Sequence, residues 1–264
     1  MLNKLVIQYK QIFIGIILFS ISSIALAEKL TIAAAADLKF AMDEIISQYK
    51  KNSPIDEIEV IYGSSGKIFT QIQQNAPYDL YFSADINYPN RLATEGFTVG
   101  QVKPYAIGRI VLWAPNTKLD AAKMTLESLV NVDIHHIAIA NPKHAPYGKR
   151  AEEALKSVDI WNKVESKLVY GENIAQTAQF VQTGNAEVGI IALSLALSAE
   201  LAKQGSYWLI PENLHKPLEQ GYVTIKRAEN NQLAKKFSQL MTTPEVRKIM
   251  VKYGFILPNE NINQ

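Results

Sequence analysis

The sequence predicts an α/β chain folded as two lobes, each a mostly parallel sheet flanked by helices, joined by two crossing strands. Three observations lead there. Strand-like and helix-like runs alternate from Lys29 onward. The alternation restarts after Pro115 and gives a second βα set. Two extended runs, Ile107 to Trp113 and Tyr222 to Arg227, sit where the chain would pass between the sets. On this reading lobe one is discontinuous, residues 28–108 plus 224–264, and lobe two is 109–223. Gly108 and Tyr222 mark the expected hinge. The sequence contains no internal repeat and no low-complexity linker.

The first 27 residues stand outside this pattern. Lys4 and Lys10 make a positive start, Ile12 to Phe19 is an apolar core, and Ala25-Leu26-Ala27 precedes Glu28. This is the pattern of an export signal cleaved after Ala27, and its apolar core is short for a membrane span. The whole chain has 27 basic and 25 acidic residues. Removing the signal takes away two lysines and leaves a balanced charge, so the basic balance of the full chain gives no support for nucleic-acid or anionic-membrane binding. The chain has no cysteine. An exported chain without disulfides must rely on its core, and the remaining length is ample for one.

The elements follow in order. Lys29 to Ala35 is a strand, and the run Ala33 to Ala36 allows close approach of a neighbouring backbone. Asp37 is placed to cap the helix that follows, whose apolar residues Leu38, Ala41, Met42, Ile45, Ile46 and Tyr49 recur at helical spacing. Glu57 to Tyr62 is a strand, Gly63-Ser64-Ser65-Gly66 a tight turn, and Lys67 to Gln74 a helix. Asp79 to Phe82 is a short buried strand, followed by a polar helix from Tyr88 to Glu95. Tyr105 to Trp113 reads as one long strand interrupted at Gly108.

In the second set a short helix, Leu126 to Val130, precedes the strand His136 to Ala140. The helix Tyr147 to Ser157, the strand Leu168 to Tyr170 and the helix Ile174 to Gln182 come next. Then come the strand Val188 to Leu193, the helix Ser194 to Lys203 and the strand Tyr207 to Ile210. Gly221 to Arg227 is a strand, and two helices, Asn230 to Met241 and Pro244 to Tyr253, finish the chain.

In open α/β sheets ligands bind at the carboxyl ends of strands. Here those ends are Ala36-Asp37, the Gly63 to Gly66 turn, Asn141 to Gly148, Gly171 to Ile174, and Ala192 to Ser194. Each leads into a helix N-terminus, and the loops are small or polar with little positive charge. Neutral N–H and O–H donors at helix starts suit a desolvated anion recognised by geometry. A plain Gly/Ser loop is an equal reading of the serine turn taken alone. A nucleotide-binding P-loop is disfavoured by the spacing and by the lack of Ser or Thr after Lys67.

A hydrolase using Ser65 lacks the G-x-S-x-G setting and a patterned base. His135, His136, His144 and His215 show no metal-ligand spacing, and each reads as a surface or core histidine. The pairs Asp43-Glu44 and Glu152-Glu153 read as solvated helix faces.

Several motifs together carry a resemblance: AAAADLKFAM at 33–42, YGSSGKI at 62–68, APYDLYFSAD at 76–85, NPKHAPYG at 141–148, GENI at 171–174 and KYGF at 252–255. In this order and spacing the chain resembles the periplasmic molybdate-binding proteins of ABC importers. The resemblance implies a two-lobed type II periplasmic-binding-protein fold and no enzymatic activity. It implies molybdate or tungstate as ligand, with no cofactor and no metal site beyond the oxyanion itself, and a membrane permease as partner. The protein is expected to be a monomer in the periplasm, with no nucleic-acid partner.

Carried over by motif, Ser65, with Ser64 beside it, and the Ala36-Asp37 turn supply lobe one's half of the site. Tyr147 and the backbone N–H of Ile174 supply the other half. Some members carry a ligand-binding tyrosine where this chain has Ala192, so Tyr147 is expected to supply the phenol. Asp37 departs from the family pattern, because a carboxylate repels a dianion. Its side chain is expected to turn back onto its helix, leaving its backbone N–H to the ligand. The alternative is that it accepts a hydrogen bond from a protonated ligand such as hydrogen phosphate. Phosphate or sulfate binding therefore stays open, as do an exported serine hydrolase and a periplasmic sensor or chaperone.

Overall fold

A computed structural model describes residues 29–117 and 119–258. The export-signal segment and its cleavage point lie outside the described residues. Two five-stranded sheets form the framework, in the orders β2-β1-β3-β10-β4 and β7-β6-β8-β5-β9. The first comprises β1 (Lys29–Ala35), β2 (Glu57–Gly63), β3 (Leu80–Ser83), β4 (Thr98–Gly108) and β10 (Leu218–Ile225). The second comprises β5 (Ile110–Pro115), β6 (Ile137–Ala140), β7 (Leu168–Gly171), β8 (Val188–Ala192) and β9 (Gly205–Leu209).

Both sheets are mixed in the same way. β1 pairs in parallel with β2 and β3, and β6 does so with β7 and β8. The antiparallel half of the first sheet is β10 between β3 and β4, and that of the second is β5 between β8 and β9.

The parallel strands are connected by helices, as parallel pairing requires. Those of the first half are α1 (Lys39–Asn52), α2 (Ser65–Gln73) and α3 (Asn87–Thr94). The second half has α4 (Pro146–Ser157), a one-turn α5 (Trp161–Val164), α6 (Ile174–Gln182), α7 (Leu193–Ala196) and α8 (Leu201–Gln204). α9 (Gln232–Leu240) and α10 (Pro244–Lys252) return to pack on the first sheet. Phe82 stacks on Tyr222 at 4.7 Å between ring centroids and meets Phe237 of α9 edge-on, tying β3, β10 and α9 together. The second core is aliphatic, built on Val111, Leu112, Ile139 and Ile190 around a fully buried Trp113.

The structure corrects several sequence expectations. The run read as one strand from Tyr105 to Trp113 is two strands in different sheets, and the first begins at Thr98. The chain passes between sheets at Gly108-Arg109, where Gly108 packs closely against Tyr147 of α4 and Gln220 of β10. A Cβ there would lie 2.3 Å from the Tyr147 hydroxyl and 2.6 Å from Gln220 Nε2. The last strand starts at Leu218, so the return to the first sheet lies between Leu209 and Leu218.

The helix expected over Ser194 to Lys203 breaks in two, and the Ser198 hydroxyl accepts the Leu201 N–H at 3.3 Å, a local cap for α8. α2 begins at Ser65 rather than Lys67. Ser64 is extended, and its carbonyl accepts the Ile68 N–H, so the second serine and Gly66 belong to the helix's first turn. The helix α5 was not foreseen.

Candidate functional site

The carboxyl ends of β1 and β2 are register partners, with Ala35 opposite Gly63. Both strands end facing the second half of the molecule. Ala36, Asp37, Ser64, Ser65, Tyr147 and Ile174 all line one small cavity there. Ala35, Gly63, Ala84, Ala145 and Pro146 complete its wall. The cavity measures about 10 Å³, near the least volume that holds a single water.

Three helix N-termini point into it. Ser65 opens α2, Pro146 and Tyr147 open α4, and Ile174 opens α6. The first N–H groups of a helix lack intrahelical acceptors and carry its positive partial charge. In α6 the Asn173 side chain accepts the Ala175 and Gln176 N–H groups, which leaves the Ile174 N–H outside the cap. The Ser65 Oγ accepts the Ala84 N–H at 3.0 Å, so its own proton is directed elsewhere. The Tyr81 hydroxyl donates to the Ser65 carbonyl at 2.8 Å and fixes that residue further. Among the described residues, no lysine, arginine or histidine lines the cavity. The arrangement is a set of neutral donors aimed at one point, suited to a small anion.

Across the cleft the halves are latched by other groups. The Gly66 N–H donates to the His144 carbonyl at 2.9 Å, and Ser64 Oγ lies 2.9 Å from His144 Nδ1. Burial holds the His144 imidazole below its ordinary pKa, which favours the neutral ring in this contact. Lys67 and Glu172 form an exposed ion pair over the rim. The Ser194 hydroxyl donates to the Asp37 carbonyl at 2.7 Å.

The region matched by the family model of bacterial extracellular solute-binding proteins is residues 30–256, nearly all that the structure describes. The chain belongs to that family. The solute-binding protein is 38% identical over 197 residues to the molybdate-binding protein ModA of Rhodobacter capsulatus, covering 74% of this chain and 75% of that one. It is 34% identical over 234 residues to the ModA protein of Azotobacter vinelandii, covering 88% and 91%. The solved structure of the periplasmic molybdate-binding protein of Azotobacter vinelandii superposes with a TM-score of 0.79 at 29% identity, covering 87% of this chain and 99% of that one. These relatives are solute-binding proteins rather than enzymes.

In this solute-binding protein Asp37 does not behave as the sequence suggested. It caps no helix: it lies in a three-residue 3₁₀ turn, Ala36–Leu38, and α1 starts after Leu38 without a side-chain cap. Its carboxylate is buried and crosses the cleft. Oδ2 accepts the Tyr147 hydroxyl at 2.9 Å and Gln220 Nε2 at 2.8 Å, and Oδ1 has no hydrogen-bond partner among the described residues. Burial pushes its pKa up to about 6, opposed in part by the bonds from Gln220 and Tyr147 and by the nearby backbone N–H groups of Asp37 and Leu38.

Tyr147 therefore spends its phenol proton on Asp37, while its backbone opens α4 at the cavity. Burial, with Asp37 beside it, pushes the Tyr147 hydroxyl well above its ordinary pKa. Ser64 also differs from its partner, since its hydroxyl faces His144.

Sequence reasoning missed Gln220, His144 and the bonding role of Ser194. Gln220 is fully buried on β10, donates to Asp37, and reaches the Tyr147 oxygen at 3.1 Å. The alternation Leu218, Gln220, Tyr222 was the available signal, an inward-facing amide on a buried strand face. His144 reads as a loop histidine until the cleft brings Ser64 against it. Among the described residues no carboxylate hydrogen-bonds to the His144 imidazole, so its contact with Ser64 lacks the third member of a triad.

Proposed function

We propose that this protein captures molybdate, and tungstate with it, between its two halves and delivers the anion to the membrane permease of an ABC-type importer. The observation that carries this reading is the convergence of three helix N-termini and the Ser65 hydroxyl on one cation-free point. Its relatives' molybdate binding supports the choice of anion. The donors on this reading are the Ser65 hydroxyl and N–H, the Ile174 N–H, and backbone N–H groups at Ala36 and Tyr147, with Ser64 beside them. Fixed N–H and O–H donors select by distance and need no countercharge, so a tetrahedral oxyanion is held by shape.

Because the cavity as it stands has room for about one water, capture requires the halves to part. The Gly66–His144 and Ser64–His144 contacts are the ones that yield, with bending at the crossings beside Gly108 and before Leu218. The two sheets are then the cores of the two lobes. The protein acts as an exported monomer, released by cleavage after Ala27.

Calorimetric titration with molybdate, tungstate, sulfate and phosphate tests the reading. Saturable heat with molybdate and tungstate is expected, with little from sulfate or phosphate. Heat with phosphate and none with molybdate would overturn it. Phosphate is kept as the second reading for one reason: the unpartnered Oδ1 of Asp37 could accept the proton of hydrogen phosphate.

A further inference from the structure

We propose that the anion enters this site together with one proton, which resides on Asp37 Oδ1 and turns that carboxyl into a hydrogen-bond donor to the bound oxyanion. The proposal rests on the anion-binding reading above and assigns the carboxyl that reading leaves without a role.

Geometry restricts the proton to one atom. Oδ2 already accepts two hydrogen bonds, from the Tyr147 hydroxyl and Gln220 Nε2. Oδ1 accepts none among the described residues and is inaccessible to solvent. The residue is 1% exposed and lines the same cavity as Ser65 and Ile174. Burying a carboxylate with one of its two oxygens unpartnered disfavours the ionised form, and a dianion beside it makes that form worse. Protonation removes the repulsion and supplies a donor in one step. The proton comes from solvent, and no bond other than O–H forms.

The surroundings offer no other way to neutralise the carboxylate. Tyr147 of α4 and Tyr105 of β4 face it, and burial raises both hydroxyls well above their ordinary range, so neither supplies charge. Gln220 of β10 and Ser194 of α7 are neutral, and Glu219 on β10 is exposed. Among the described residues, Lys39 after its own turn, Arg109 after β4, Lys67 on α2 and Arg150 on α4 make no hydrogen bond or ion pair with Asp37. Lys67 pairs with Glu172, and Arg150 with Glu153. Burial, net of the hydrogen bonds that oppose it, already places Asp37 at about 6, within reach of neutral solution once a dianion adds to it.

The test is molybdate calorimetry at pH 7.5 in buffers of different ionisation enthalpy, with a pH series from 6.5 to 8. Wild type is expected to take up about one proton per anion, and its affinity to fall roughly tenfold per pH unit. Asp37→Asn keeps the oxygen that accepts from Tyr147 and Gln220 and offers an amide donor in place of Oδ1–H. It is expected to bind molybdate with no proton uptake and a flat pH profile.

Tight molybdate binding by wild type without proton uptake would overturn the proposal and leave the anion-binding reading intact. Wild type that binds none of the anions would overturn that reading, and the proposal with it. The wild-type series does not depend on any variant folding.

Discussion

The turns that end β1 and β2 sit side by side, with Ala35 opposite Gly63, yet they face the cleft with opposite chemistry. The Ser64–Gly66 turn presents hydroxyls and N–H groups at the start of a nine-residue helix. The Ala36–Leu38 turn presents a buried carboxylate anchored to the opposite half through Tyr147 and Gln220. The proposed roles differ accordingly: neutral donors in the first turn need no titration to meet an anion, whereas the carboxylate of the second repels one until it is neutralised. On the proposed reading, two neighbouring turns at the carboxyl end of one sheet divide the work: one supplies affinity, and the other makes affinity depend on pH.

Breaking the donor turn should have the largest effect on binding. Ser65→Ala removes a hydrogen bond to a charged ligand and should weaken molybdate binding by about 1.5–3 kcal/mol, read by calorimetry. An unchanged affinity would remove Ser65 from the site.

The carboxylate turn should show itself in stability. A carboxyl whose folded pKa is raised stabilises the fold fully below its unfolded value, and that contribution is lost as pH rises through the folded value. For Asp37 the window runs from 3.8 to about 6. Asp37→Asn should therefore stabilise the protein free of anion at pH 7.5, by up to about 3 kcal/mol. The difference should vanish below pH 4 in thermal melts across that range.

Gly66 tests whether the donor turn also forms the closing contact. A Cβ there would lie 2.7 Å from the His144 carbonyl and 2.9 Å from the Tyr88 hydroxyl. Gly66→Ala should keep the halves apart at a cost of about 1–3 kcal/mol in anion affinity. Solution scattering should show a larger radius with molybdate present than wild type has. His144→Ala removes only the side-chain half of that latch and should cost about 1 kcal/mol. Glu172→Gln, which breaks the exposed pair with Lys67, should change affinity by less than about 1 kcal/mol.

The donor turn was legible in the sequence because its chemistry is local. Gly63-Ser64-Ser65-Gly66 carries its hydroxyls and its strand end within four residues, although the helix begins at Ser65, two residues earlier than the pattern indicated. The helix start at Ile174 was legible from the loop Gly171 to Asn173 before it, while the role of its N–H came only from the resemblance. The carboxylate turn was not. Asp37 before a helix has the signature of a cap, and nothing local says that its side chain will be drawn 110 residues away to Tyr147. Gln220, 183 residues from Asp37, fell just before the expected start of its strand. The two halves of the Tyr105 to Trp113 run were merged because both are apolar and extended. At the break between them Gly108 packs against Tyr147 and Gln220, both remote in sequence. Local pattern marked the strand ends and helix starts, while the bonds that cross the cleft depend on how the halves meet.

The central claim is that one anion is held by neutral donors from both halves at this point. A crystal structure grown with molybdate, using the anomalous signal of molybdenum, tests it most directly. A single anomalous peak is expected between the start of α2 and the start of α6, with anion oxygens about 2.7–3.1 Å from Ser65 Oγ and the Ile174 nitrogen. A peak elsewhere, or an anion contacting only one half, would contradict it.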